Sequence, residues 1–105
     1  GELYVSDFER NCIAVFDASG AYLRSLGEEG DGEGQFYGPN GLAFTPEGHL
    51  VVADEGNHRV QVVREDGSFV RAFGSKGTRD GELDDPVDVA VSSDGSVFVT
   101  DQENA

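Results

Sequence analysis

The sequence predicts an all-β fold made of repeated four-stranded antiparallel units, and three observations lead to this fold class. The chain of 105 residues matches itself at a shift of 47 positions, which aligns Asp7 with Asp54 and Asp101. Runs of four or five β-branched and aromatic residues recur along the chain, as short strands require. Turn-forming clusters that contain Gly separate these runs, and no window of a dozen residues shows a helical period.

The repeat has no gaps. Residues 1–47 and 48–94 are identical at 12 of 47 positions, which is several times more than chance gives at this composition. Self-similarity at a fixed period is the sequence signature of a repeat architecture. We therefore interpret residues 1–105 as one domain, made of repeat 1 (1–47), repeat 2 (48–94) and the start of a third repeat (95–105).

The individual strands follow from the apolar runs and from the turns between them. The runs are Leu50–Ala53, Val60–Val63, Phe69–Phe73 and Val87–Val91. The turns are residues 46–48, 55–57, 65–67 and 93–95, and each contains a Gly. Asp-Gly and Glu-Gly pairs favour tight hairpins because Gly adopts positive φ without steric cost. Consecutive hairpins make each repeat a four-stranded antiparallel meander.

A meander of about 40 to 50 residues repeated in tandem is typical of the blades of a β-propeller. Several strands are apolar at successive positions, which suits a sheet covered on both faces by neighbouring blades. A small β-sandwich is the alternative, but it would not require a gapless period of 47 residues. We predict propeller blades.

The segment Asp54–Val60 of repeat 2 reads Asp-Glu-Gly-Asn-His-Arg-Val and is followed by Val62. It resembles the signature of the NHL repeat, in which a strand ends in Asp and continues as x-x-Asn-x-Arg-Ile-x-Val. The segment Pro39–Phe44 is also similar to the Pro-x-Gly-Leu-Ala-Phe stretch of that family. The resemblance implies that residues 1–27 supply strands two to four of one blade. Residues 39–74 then supply a whole blade, and residues 86–105 supply the first two strands of another.

The resemblance also implies a structural role for the repeat-signature residues, which are Asp7, Asp54, Asn57, Arg59 and Asp101. An Asp that ends a strand accepts backbone N–H bonds, and we expect it to pair with Arg59 in the next blade. Repeat 1 departs from the signature, since Arg10 stands where Asn is expected and Cys12 where Arg is expected. Only repeat 2 is therefore complete and typical.

Nine strands are too few for a ring, because propellers have at least four blades. The ring is therefore incomplete in one chain. Three copies at two blades each would give the six-bladed ring that is common among NHL propellers. Residues 95–105 would then duplicate residues 1–11, so one of the two segments must be displaced. A piece of a larger propeller is the alternative.

The charge excludes several partners. The chain carries 21 acidic and seven basic residues, for a formal net charge of −14. Nucleic acids and anionic membrane surfaces both attract clustered Lys and Arg, so we expect neither as a partner. No apolar run has the length of a membrane span, and the first residues do not resemble a signal peptide. Cys12 is the single cysteine, so it indicates no internal disulfide and no compartment.

Three features suggest metal or catalytic chemistry, and we prefer a structural interpretation of each. The aligned aspartates suit backbone bonding at strand ends. His49 and His58 flank one strand, but zinc needs three or four ligands. The connector Gly27–Phe36 alternates Gly with carboxylates, yet it lacks the Asp-x-Asp-x-Asp spacing of a calcium loop. We predict a solvated connector of fixed shape, and no catalytic residue, metal ligand or cofactor.

The function predicted from these observations is a non-enzymatic propeller scaffold that binds a protein or peptide and completes its ring with copies of itself. Its acidic turns and connectors should prefer basic partners, and binding should weaken as salt increases. The alternative is a fragment of a propeller enzyme, of the metal-dependent lyase or lactonase type. Its active site would need blades that this chain lacks.

Overall fold

The computed structural model describes residues 1–102, which form nine β-strands and one short 3₁₀ turn at Glu55–Asn57. In chain order the strands are β1 (Glu2–Asp7), β2 (Cys12–Asp17), β3 (Tyr22–Leu26), β4 (Pro39–Phe44), β5 (Leu50–Asp54), β6 (Arg59–Val63), β7 (Phe69–Phe73), β8 (Pro86–Val91) and β9 (Val97–Asp101). Within these residues no helix has the length and apolar character that crossing a membrane requires.

The strands form three antiparallel sheets, and each sheet follows chain order. Strands β1–β3 form blade one, β4–β7 form blade two, and β8–β9 form the blade-three segment. The predicted all-β class and four-stranded meander are confirmed, and the ring is not closed. The part of the third repeat signature that falls on residues 103–105 lies outside the described residues.

Four hairpin turns share one geometry, which shows how the repeat sets the loops. In each, five residues are closed by two backbone hydrogen bonds, such as Asp17 N–H to Ala21 O and Gly20 N–H to Asp17 O, both 2.9 Å. The fourth residue is a Gly with φ near +90°, and these residues are Gly20, Gly48, Gly67 and Gly95. A three-residue loop of this kind needs a left-handed residue at its end, which Gly supplies.

The turn between β5 and β6 does not follow the sequence-based prediction that the Gly of each hairpin adopts positive φ. Gly56 does not adopt positive φ, and the left-handed residue is instead His58, with φ 55°. Gly56 is required for another reason, because a Cβ there would overlap the backbone and ring of Tyr37. Its N–H donates to the Tyr37 carbonyl oxygen at 2.7 Å, so the turn is held against the chain that leads into β4.

Two apolar clusters hold the sheets face to face. The first joins blade one and its connector to blade two through Ile13, Val15, Leu26, Phe36, Leu50, Val52 and Val63. The second joins blade two to the blade-three segment around Val51, Ala53, Val60, Val62 and Val89. The neighbours Val51 and Val52 are both fully buried, so strand β5 is covered on both faces, as its unbroken apolar sequence predicts.

Candidate binding groove

Asp54 ends strand β5 as a fully buried carboxylate with four hydrogen-bond donors around it. Tyr37 N–H donates to Oδ1 at 2.8 Å, while Oδ2 accepts from Asn57 Nδ2, Arg59 Nε and Gln61 Nε2 at 3.0, 2.9 and 3.1 Å. A buried charge is tolerated when it is both paired and hydrogen-bonded. The signature residues Asp54, Asn57 and Arg59 are thus brought together in one network.

The expectation that the strand-ending Asp pairs with Arg59 of the next blade is wrong. Asp54 and Arg59 face each other across β5 and β6 of the same blade, at paired positions of the hairpin. The guanidinium then reaches the preceding connector, where it donates to the carbonyl oxygens of Asp31, Gly32 and Gln35 at 2.9 Å each. The contact between blades is therefore made by backbone carbonyls and not by a second carboxylate.

The connector between blades one and two is held by blade two. Besides Arg59, Gln61 donates to Gln35 O at 2.6 Å and accepts from Gly34 N–H at 3.0 Å, and Asn57 donates to Gly30 O at 2.8 Å. Gly30 and its copy Gly77 also share the same φ, at 157° and 153°. The two connectors therefore share a backbone shape at this position, as predicted. The sequence also predicts a solvated connector, but carbonyl groups of the first connector accept hydrogen bonds from side chains of blade two.

Of the other two aspartates of the predicted column, Asp101 repeats the backbone contact of Asp54 and Asp7 does not. Asp101 accepts the N–H groups of Asp84 and Asp85 at 2.9 and 2.8 Å, much as Asp54 accepts that of Tyr37. Asp7 accepts the N–H of Arg10 at 3.0 Å, and its Oδ2 lies 3.9 Å from Nε of the Arg10 side chain, which is 84% exposed. The structure therefore does not bring the three aspartates to one site.

Sequence reasoning missed two contacts made by left-handed residues. Asn11 and His58 occupy equivalent positions one repeat apart, with φ of 58° and 55°. Asn11 Oδ1 accepts from Gly38 N–H at 2.7 Å, and His58 Nδ1 contacts Asp84 O. Both side chains therefore fix the chain just before the next blade begins. Their different residue types hide this shared role, although Asn is a residue type that tolerates the left-handed conformation.

A groove of about 570 Å³ opens between blades one and two, beside Asn11 and Gly38. It is lined by the turn between β1 and β2, by the connector and by the turn between β5 and β6, through Phe8, Glu9, Asn11, Glu29, Tyr37, Gly38, Glu55 and Gly56. Phe8 and Tyr37 are 57% and 53% exposed, so two large aromatic rings face solvent at its edge. Its volume is within the range of clefts that bind small ligands or side chains.

The groove is acidic, since three of its eight lining residues are glutamates and none of the eight is basic. Glu29 Oε1 accepts from Asn11 Nδ2, and Glu55 Oε1 accepts from Asn40 Nδ2, at 3.1 Å each. The pKa of Glu55 is raised above its ordinary value, mainly by burial and also by a hydrogen bond with the Asp85 carboxyl. Carboxylates beside exposed aromatic rings are the groups that bind an ammonium or guanidinium ion.

The residues considered for metal binding do not converge. His58 contacts Asp84, whereas the His49 backbone N–H donates to Thr45 Oγ1 at 3.0 Å. Cys12 lies opposite Asp7 in the first hairpin. Among residues 1–102, no three His, Cys, Asp or Glu side chains are grouped so that they could hold a metal ion.

Comparison with known families agrees with the geometry. A family model described as NHL repeat matches residues 36–63, which run from the connector through β4 and β5 to the end of β6. The matched range holds the Asp54 network and half of the groove-lining residues. No curated protein matches the chain significantly.

Proposed function

Because the chain contains an NHL repeat at residues 36–63, we propose that it is a non-enzymatic β-propeller scaffold. In this proposal the groove between blades binds a protein or peptide partner, and three copies complete a six-bladed ring. The observation that carries the binding role is the groove itself, where exposed Phe8 and Tyr37 stand beside three carboxylates. The chemistry of that lining favours a peptide that presents Arg or Lys.

The electrostatics support this choice of partner. The groove carboxylates belong to a chain with a formal net charge of −14, so a cationic segment is attracted before it makes contact. Once bound, a guanidinium can lie over an aromatic ring and donate to a carboxylate at the same time. Binding should therefore weaken as ionic strength rises.

A labelled heptapeptide of alternating Gly and Arg tests this role by fluorescence anisotropy. We expect Tyr37→Ala to weaken its binding by about fivefold, because a cation–π contact contributes on the order of 1 kcal/mol. Glu9→Gln should also weaken it, because it removes a groove charge. Glu47→Gln removes an exposed carboxylate in the turn between β4 and β5, outside the groove, and should change little.

Acidification supplies a second readout of the same experiment. Since the pKa of Glu55 is raised, the groove loses a negative charge at a higher pH than an ordinary glutamate would allow. Binding should decline on acidification above the ordinary glutamate range, and Glu55→Gln should remove that early decline. Equal effects of Tyr37→Ala and Glu47→Gln, or equal binding of a Gly and Glu peptide, would refute the proposed site.

A further inference from the structure

The interface between blades one and two is repeated between blade two and the blade-three segment. Adding 47 to Ile13 and Val15 gives Val60 and Val62, which lie in the second apolar cluster. Adding 47 to Leu50 and Val52, which cover the first pair, gives Val97 and Val99, which pack against the second cluster. One packing scheme therefore applies to each neighbouring pair of sheets.

The outward face of blade one carries the residues of this scheme without a covering sheet. Subtracting 47 from Leu50 and Val63 gives Leu3 and Phe16, which face each other across β1 and β2 as the later pair does across β5 and β6. Leu3 is 54% exposed and Val5 is 49% exposed, whereas their copies Leu50 and Val52 are fully buried. This face has the composition of an interface between blades.

The second interface is also only partly covered. Leu26, at the edge of the first interface, is 3% exposed, whereas its copy Phe73 is 41% exposed. Two strands, β8 and β9, lie against blade two, where a full blade has four. A sheet carrying the counterparts of β6 and β7 would extend this cover over Phe73.

The strand edges are complementary in register. In blade two, β4 pairs with β5 so that Phe44 faces Leu50. The same pairing in the blade-three segment places Val91 opposite Val97. Moving Val97 back by two repeats gives Leu3, so β1 carries the sequence that fits beside β8. Among the described strands β1 pairs with β2 alone, which leaves its other edge open.

We infer that a second copy of this chain docks head to tail, with its β1 paired to β8 of the first copy and its Leu3 opposite Val91. This inference rests on the proposed self-association. Strand β9 of the first copy is displaced in this docking, because it pairs with β8 alone within its sheet. Strand β1 is held by β2, by a ring contact of Tyr4 with Phe44 at 4.9 Å, and by the Glu2–Arg24 ion pair at 3.2 Å.

The strand-ending aspartates fit this exchange. Asp101 accepts the N–H groups of Asp84 and Asp85 from the end of β9. Asp7 ends β1 at the corresponding position, so Asp7 of the docked copy would accept them instead. The strands β8, β1, β2 and β3 then form a complete four-stranded blade from two chains. Each copy thereby contributes two blades to a ring.

The interface between copies, which we call the joint, lacks two side chains that stabilise the interface between blades one and two. Cys12 and Ala14 occupy the positions of Arg59 and Gln61, which bind the carbonyl and N–H groups of the preceding connector. The corresponding groups of the second connector belong to residues 78–82. Restoring an Arg and a Gln should therefore strengthen the joint between copies.

Disulfide trapping tests the inferred register in a Cys12→Ser background. A tagged Leu3→Cys chain is mixed with an untagged Val91→Cys chain in a glutathione redox buffer, and linked heterodimers are measured by non-reducing electrophoresis. Disulfides need Cα atoms within about 7 Å, so about half of the chains should be linked when equal amounts of the two chains mix at random in rings of three. A Ser6→Cys chain is the control, since residue 6 lies about 10 Å further along the strand and should give little product.

A gain-of-function variant keeps the test independent of misfolding. Cys12→Arg with Ala14→Gln should lower the dissociation constant of the assembly by about tenfold, whereas Ala21→Arg at an exposed turn should not. Assembly without Leu3–Val91 linkage and without this gain would overturn the inferred joint while leaving self-association in place. A chain that stays monomeric at all concentrations would overturn both.

Discussion

At the scale of single residues, the Asp54–Arg59 pair links a turn of blade two to the connector that precedes it. Asp54 is fully buried and the Arg59 side chain is 15% exposed, so water cannot replace the guanidinium at the buried carboxylate. The same guanidinium also binds three carbonyl groups of the connector. One side chain thus stabilises a turn within blade two and positions the chain that leads into it.

Arg59→Ala should reduce the free energy of unfolding by about 3 to 5 kcal/mol, because it leaves a buried carboxylate unpaired. The measurement is urea unfolding followed by circular dichroism. Arg59→Lys keeps the charge but loses the forked geometry, so it should lie between wild type and Arg59→Ala. Arg10→Ala removes the exposed partner of Asp7 and should change stability by about 1 kcal/mol or less. Similar losses for Arg10→Ala and Arg59→Ala would contradict this account.

At the scale of elements, the hairpin turns determine where strands end and how they pair. Gly20 occupies the left-handed position of its turn with φ 91°, and a Cβ built there would meet no atom within 4 Å. Gly20→Ala should therefore destabilise the protein through backbone strain alone, by about 1 to 2 kcal/mol. Gly20→Asn should cost less, since Asn tolerates this conformation. Thermal unfolding of the two variants checks the order, and equal stability of Gly20→Ala and wild type would be evidence against a left-handed turn.

The elements are also where the sequence is most informative. Strands such as β5 and β6 could be predicted because their pattern is local and repeats every 47 residues. The attachment of the connector to Arg59 and Gln61 could not, because it depends on contacts some 25 residues apart between backbone atoms and side chains. The groove was missed for a similar reason, since Phe8 and Glu55 come from two separate turns and Tyr37 comes from the connector. The sequence indicated only that turns and connectors would carry the binding surface.

At the scale of the whole molecule, the three sheets repeat one interface and leave the same kind of face open on blade one. Leu3 and Val5 are about half exposed at positions where the next repeat is fully buried. Covering such apolar surface is favourable by roughly 25 cal/mol per Å² before the cost of association is subtracted. The proposed ring uses that gain, and the groove between blades would then recur around the assembly.

The solution mass tests this account most directly, and sedimentation equilibrium over a range of concentrations measures it without reference to shape. The chain has a mass of 11.2 kDa, so a six-bladed ring of three copies should sediment as a species of about 34 kDa. A single species of 11.2 kDa that persists at high concentration would contradict the account.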